Sequence, residues 1–257
     1  MEMNFSELKD FLNEKADFYN NLDFIQDDPV QIPHRFSLKQ DIEIAGFLAA
    51  TIAWGNRKSI IRSADKMLDI MGNSPYDFVM NHTESDLTSL QDKNIHRTFN
   101  GEDFIYFIMQ FQKIYSENES LEDLFLIDNE ETNFQHSIER FRQKFLGTEK
   151  HRTHKHVSSP YKNSSSKRIM MFLRWMIRKD NRGVDFGIWQ KIDQRFLSIP
   201  LDVHTGNISR KLGLISRTQN DWKTVEELDI IVRKLDDKDP SKYDFALFGL
   251  GVTKDLL

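Results

Sequence analysis

Two residues able to do covalent chemistry together stand thirty-five positions apart in this 257-residue chain: Lys167, opening one apolar helical stretch, and Asp202, opening another. Ser164, Ser165 and Ser166 offer a cap to the first stretch. Ile169, Met170, Phe172, Leu173 and Met176 supply its apolar stripe, so Lys167 falls in the first turn. The positive end of the helix dipole disfavours an ammonium there, and an amine that has given up its proton is a nucleophile. In Ile199-Pro200-Leu201-Asp202-Val203-His204 a proline closes one segment. Val203, Ile208 and Leu212 then follow at roughly helical spacing before Gly213 stops the run. Asp202 is therefore placed as an N-cap, where backbone N–H bonds fix a carboxylate in direction. Each residue also has a plain structural reading: Lys167 as a solvated surface lysine, Asp202 as a helix cap and no more.

The elements that must position this pair read as helices throughout. Phe5 to Tyr19 is amphipathic, Pro29 and Pro33 break the chain, and Asp41 to Ala53 is apolar enough to be a buried helix. Further helices are expected over Arg57 to Met71, Asp103 to Tyr115, Leu121 to Ile127, Phe134 to Leu146, Lys167 to Lys179, Phe186 to Phe196, Val203 to Leu212, Trp222 to Leu235 and Pro240 to Phe248. No strand-like alternation, internal repeat or Gly-rich phosphate loop interrupts them, so the expected fold is all-α. The basic, Ser-rich stretch from Lys150 to Ser166 is the natural linker.

Lys167-Arg168-Ile169-Met170-Met171-Phe172 and Ile199-Pro200-Leu201-Asp202-Val203-His204, the latter continued by Arg210-Lys211-Leu212-Gly213-Leu214, carry a resemblance. With further matches over Ala45 to Arg62 and Tyr243 to Gly251, the chain from about residue 38 onward resembles an uncharacterised, mainly bacterial family. Through it the chain resembles the helix-hairpin-helix DNA glycosylase superfamily, particularly the archaeal 8-oxoguanine DNA glycosylases. The resemblance implies two helical subdomains with a cleft between them, residues 38–180 forming one, with a hairpin-like segment, and residues 1–37 plus 181–257 the other. It implies Lys167 as the attacking group and Asp202 as its assistant, facing each other across that cleft. The partner implied is double-stranded DNA carrying a damaged base, an oxidised purine being the leading case. Where the superfamily hairpin has a Gly-hydrophobic-Gly turn, this chain has Asn163-Ser164-Ser165-Ser166. Hydroxyls and helix N-terminal amides of Ser164, Ser165 and Ser166 are able to bind phosphate in its place.

Further contacts follow from the same resemblance. In Trp54-Gly55-Asn56-Arg57, either Asn56 or Arg57 sits where a side chain would fill the gap left by an extruded base; an ordinary turn with Asn56 capping the next helix is the alternative. Trp54, Phe245 and Phe248 are candidates for the base pocket, with core packing as the rival explanation. Arg168, Arg174 and His204 join the candidate DNA contacts, His204 otherwise being a helix-surface group.

Composition limits the remaining possibilities. With 39% hydrophobic and 12% aromatic residues the chain builds a real core. No cysteine is present, which excludes disulfides and the iron–sulfur cluster of some relatives; neither a metal nor an organic cofactor is expected. His151, His154 and His156 have only Glu149 as a nearby carboxylate, a poor metal set. A net charge of −5 argues against a nucleic-acid partner until its distribution is read. From Lys150 to Arg182 ten basic residues face a single acid, Asp180. Such a run attracts phosphate, or is a mobile loop with no partner. Met1 to Glu7 lacks a signal-peptide pattern, and no stretch is long enough to span a bilayer, so a cytoplasmic monomer without membrane contact is expected. Two other functions stay open: a DNA-binding relative that has lost the chemistry, and an all-α scaffold whose basic loop docks an acidic protein.

Overall fold

A computed structural model describes residues 3–148 and 151–253. Met1 and Glu2 of the N-terminal stretch, Lys150 of the basic run and Glu149, the carboxylate beside it, lie outside the described residues. Among those described, the helices in chain order are α1 (Phe5–Tyr19), α2 (Asp23–Gln26), α3 (Lys39–Thr51), α4 (Arg57–Ile70), α5 (Pro75–Asn81), α6 (Glu84–Thr88), α7 (Gly101–Glu117), α8 (Gln135–Leu146), α9 (Lys167–Ile177), α10 (Val203–Lys211), α11 (Trp222–Leu235) and α12 (Tyr243–Thr253). Polar side chains set six of these twelve starts. Asn4, Thr83 and Asn100 build capping boxes with Glu7, Asp86 and Asp103, while Asn56, Asp202 and Asp221 cap α4, α10 and α11 singly. The protein is mostly helical, as expected. No described helix is long and apolar enough to cross a membrane.

Three local expectations need correction. A small antiparallel hairpin of β1 (Asn94–His96) and β2 (Phe99–Asn100) turns through Arg97, whose φ of 52° is left-handed. Its strands are too short to show alternation in the sequence. Leu121 to Ile127 is only a 3₁₀ turn, Leu121–Leu124. The helix expected over Phe186 to Phe196 does not form, because Gly187 adopts a left-handed φ of +56° where a Cβ would stand 2.5 Å from Lys179 Cγ. The backbone N–H groups of Phe186 and Trp189 instead donate to Trp175 O and Met176 O at 2.8 and 3.0 Å. Carbonyls at the end of α9 are thereby satisfied, and Trp189 is buried beside Phe172.

The stretch expected to be a linker is also built into the structure. Arg152–His156 and Pro160–Lys162 are 3₁₀ turns, and Thr153, His156, Ser159 and Pro160 are buried.

The described residues divide into a terminal unit, drawn from Met1–Phe24, Ile127–His136 and Ser159–Leu257, and a middle unit, drawn from Ile25–Leu126 and Ser137–Ser158. This division differs from the expected one: residues 159–180 group with the chain ends, so Lys167 and Asp202 belong to the same unit. In the terminal unit α12 packs on α1 so closely that a Cβ on Gly249 would stand 2.3 Å from the Tyr19 ring. Trp175, Trp189, Trp222 and Tyr243 are fully buried there.

The middle unit is built on phenylalanine. Phe47 of α3 meets Phe111, Phe141 and Phe145 with centroids 5.4–5.6 Å apart, and Phe125 stacks on Phe141 at 4.3 Å. Glu43, buried in this core, accepts from Tyr115 Oη at 2.8 Å, from Ser120 Oγ at 2.5 Å and from Leu121 N at 3.0 Å. A second carboxylate, Asp103 in the first turn of α7, anchors the 3₁₀ turn at Arg152–His156. It meets Arg152 Nη1 at 2.5 Å, Thr153 Oγ1 at 2.9 Å and His156 Nε2 at 3.2 Å.

Burial raises the Asp103 pKa, but hydrogen bonds from His156, the Asn100 backbone and Thr153 outweigh it and hold the carboxyl at about 2, against an ordinary 3.8. The folded pKa is depressed, so this stabilisation is present above pH 4 and is lost as pH falls towards 2. Asp103→Asn should therefore cost on the order of 2 kcal/mol at neutral pH. In denaturant titrations the gap between wild type and variant should close as pH falls from about 4 to 2.

Candidate active site

Lys167 is set in place by a turn that the sequence builds from small polar residues. Pro160–Lys162 ends in Asn163, left-handed at φ 61°, and Ser166, left-handed at φ 49°, precedes α9. The turn is stapled from two sides. Asn163 Nδ2 donates to Asp221 Oδ2 at 3.0 Å, Ser164 forms a bridge with Asp221, and Ser165 Oγ donates to Leu201 O at 3.2 Å. The last bond ties the start of α9 to the residue before Asp202. Asp202 in turn accepts from Thr205 N at 2.9 Å, and Asn220 Nδ2 donates to its carbonyl at 2.9 Å. With both ends fixed, Lys167 Nζ lies 3.5 Å from Asp202 Oδ2, the two side chains 29% and 17% exposed. An amine and a carboxylate that both reach solvent are thus brought together, within one unit and not across a cleft between two.

Beneath this pair lies a buried electrostatic network that sequence reading missed. Arg174 stands seven residues, two helical turns, along α9 from Lys167. It pairs with Asp244 in the first turn of α12 and, through Nε, with Asp185 at 3.2 Å. Arg178, one turn further, meets Asp180 at 2.6 Å, Asp239 at 2.9 Å and Asp185 at 3.1 Å. Burial pushes the Asp244 carboxyl up to about 7, against the pull of Arg174; the Asp202 charge adds to the rise and Lys167 opposes it. Asp185 is raised for the same first reason, burial. The signal for Asp244 was an acid in an otherwise apolar helix, but an acid in a first turn is so ordinary that it conceals a buried role.

Several expected contacts are rearranged by this network. Arg174, expected at DNA, is buried and committed to Asp185 and Asp244. Phe245, expected in the base pocket, is also buried, with the Arg174 and Arg178 guanidinium carbons 4.4 and 5.3 Å from its ring centroid. Ser166 is buried and its amide donates to Ser164 Oγ at 3.2 Å, so of the three serines Ser164 and Ser165 alone keep partial exposure. Arg168 is half-buried and desolvation pulls its pKa down to about 10.

Phe248 is half-buried, its ring 6.2 Å from that of His204. His204 is exposed and donates from Nδ1 to Gly251 O at 3.2 Å. Ahead of α9 the chain makes two 3₁₀ turns, Arg152–His156 and Pro160–Lys162.

Trp54, Asn56 and Arg57 belong to the middle unit. Asn56 Oδ1 accepts from Ser59 N at 3.2 Å as the α4 cap, while Arg57 opens that helix half-buried. Trp54 is half-buried and stacks on His156, centroids 5.8 Å apart and planes inclined by 21°. Among the described residues no group of three or more His, Asp or Glu is placed to hold a metal ion.

The coupled charges carry a pH signature. The folded pKa of Asp244 lies above the ordinary 3.8, so its contribution to stability is fully present below pH 4 and is lost as pH rises towards 7. Asp244→Asn removes that dependence. Measured by denaturant unfolding at about pH 5 and pH 8, the variant should lose less stability than wild type on going to the higher pH.

A family model described as "Protein of unknown function (DUF2400)" matches residues 28–253. No curated protein and no solved structure matches the chain.

Proposed function

The chain belongs to the DUF2400 family, and for it we propose a DNA base-excision function: a glycosylase with lyase activity that uses Lys167 as nucleophile and Asp202 as its proton acceptor and electrostatic partner. The observation that carries the reading is the 3.5 Å approach of Lys167 Nζ to Asp202 Oδ2 at two converging helix starts, both side chains partly open to solvent. The resemblance to the helix-hairpin-helix glycosylases supports the substrate class, a damaged base in duplex DNA such as an oxidised purine.

The chemistry follows from those two groups. Asp202 is the nearest carboxylate to the ammonium and takes its proton. The freed electron pair of Lys167 attacks the anomeric carbon of an extruded nucleotide, and the glycosidic bond breaks with its electrons leaving on the base, which is then protonated. Asp202 offsets the positive charge that develops on the sugar. The secondary ammonium so formed passes one of its two protons to the ring oxygen as the C1′–O4′ bond opens, which leaves a protonated Schiff base. Removal of a proton from the adjacent sugar carbon then expels the 3′ phosphate by β-elimination. No step calls on a metal or an organic cofactor.

A second reading, a relative that binds DNA without turnover, is favoured by the turn before α9, where Ser166 and Ser164 bond to each other.

Borohydride reduction during incubation with a duplex containing 8-oxoguanine or an abasic site should leave a covalent adduct in the wild type and none in Lys167→Ala. Asp202→Asn retains an N-cap of equal quality but loses the charge. It should trap at a rate lower by roughly 10²-fold or more, with an unchanged thermal midpoint. An adduct that persists in Lys167→Ala assigns the nucleophile elsewhere; binding without any adduct favours the inactive relative.

A further inference from the structure

The basic run nominated by the sequence is partly neutralised by ion pairs within the protein. Arg152 and His156 meet Asp103, Arg174 and Arg178 are buried among aspartates, and Arg182 meets Asp17 at 2.5 Å. Unpaired cations gather elsewhere, on α4 and the β1–β2 hairpin of the middle unit. Lys58, Arg62 and Lys66 follow one another at four-residue steps along the exposed face of α4, opposite its buried residues Ile60, Ala64, Met67 and Leu68. Successive side chains are thus about 6 Å apart along the axis. Among the described residues no carboxylate lies within ion-pair distance of Lys58, Arg62 or the exposed Arg97. Asp65 on the same helix is neutralised by Arg35 at 2.7 Å, and Asp69 stands a turn beyond Lys66. Like charges at this spacing repel one another and weaken a helix.

The hairpin is clamped against this face. Ser63 Oγ donates to His96 Nδ1 at 2.9 Å while His96 Nε2 donates to Trp54 O at 3.1 Å, and Lys66 Nζ donates to Asn94 O. At the hairpin tip, the Arg97 guanidinium carbon lies 3.0 Å from where a Cβ on Gly55 would stand. Cations from two elements are therefore held on one face with, among the described residues, no carboxylate in ion-pair contact with them. We infer that this face, Lys58, Arg62 and Lys66 of α4 together with Arg97, is a sequence-independent binding surface for the phosphate backbone of duplex DNA. A regular row of cations fits a regular row of phosphates, and binding releases the counterions that the row otherwise holds. The inference shares the DNA partner of the proposed function but not its chemistry.

The test is fluorescence anisotropy with a short undamaged duplex over a salt series from about 50 to 200 mM. Lys58→Gln/Arg62→Gln should lower the slope of log affinity against log salt by about 2 and weaken binding by roughly tenfold or more at the low-salt end. Adding Arg97→Gln should lower the slope by about one more. The control pair Lys155→Gln/Lys162→Gln, exposed in the original basic run, should leave it unchanged. The inference is overturned if the control pair moves the slope and the α4 pair does not. It is also overturned if wild type shows no duplex affinity at low salt, or binds phosphatidylserine vesicles in preference to DNA. Since the duplex carries no lesion, a lost borohydride adduct with an intact salt slope removes the enzyme reading and leaves this surface standing.

Discussion

Burying a guanidinium obliges the fold to bring carboxylates to it, and α9 with its C-cap, Arg178, buries two. Removing one partner from such a pair typically costs 3–5 kcal/mol, because the other charge is left without compensation. Arg174 and Arg178 draw Asp185 from the stretch after α9, Asp239 from the turn before α12, and Asp244 from α12 itself. Three segments are thereby fixed around one helix. The Lys167–Asp202 pair sits at the head of that helix, its geometry inherited from the network below and from the Ser165 bond to Leu201 O. The coupling reaches the site's electrostatics as well, since both Lys167 and Asp202 act on the Asp244 carboxyl.

Much of this architecture is legible in sequence because helix period and caps are local signals. Trp222–Leu235 can be read to the residue, and Asn56, Asp202 and Asp221 announce their helices. What escapes is whatever depends on a distant partner. Arg174 among apolar residues reads equally as a phosphate contact or a buried ion pair; the deciding carboxylates lie 11 and 70 residues away. Gly187 looks permissive in a helical pattern, and only the approach of Lys179 and the Arg178 carbonyl forbids the helix there. The units escape too: helical periodicity says nothing of which helices cluster, and contacts place α9 with α10 and α12.

Charge is misread for the same reason. A window counts residues, whereas a field depends on which of them are paired. The ten cations from Lys150 to Arg182 make the strongest local excess in the chain, yet buried or tightly paired carboxylates engage four of them, Arg152, Arg174, Arg178 and Arg182. On α4 the cations are diluted in sequence by Asp65 and Asp69, although Asp65 is spent on Arg35. A sequence of net charge −5 thus presents a positive face where the linear count showed none.

The contrast between the two kinds of ion pair on α9 bears directly on function. Arg174 and Arg178 are closely paired and hidden, the arrangement that holding segments together requires. Lys167 and Asp202 are 3.5 Å apart and partly solvated. Pairs of that kind contribute from nothing to about 1 kcal/mol, too little to matter to folding. Lys167 also stands at the positive end of its helix, where an ammonium is locally unfavourable. A fold that gains so little from the pair, and accepts a poor position for the amine, nevertheless spends a stapled turn and an N-cap on bringing the two together. Local choices that conflict with local stability concentrate at functional sites. That argument is why the proposed chemistry is assigned to the partly solvated pair and not to the stronger buried ones.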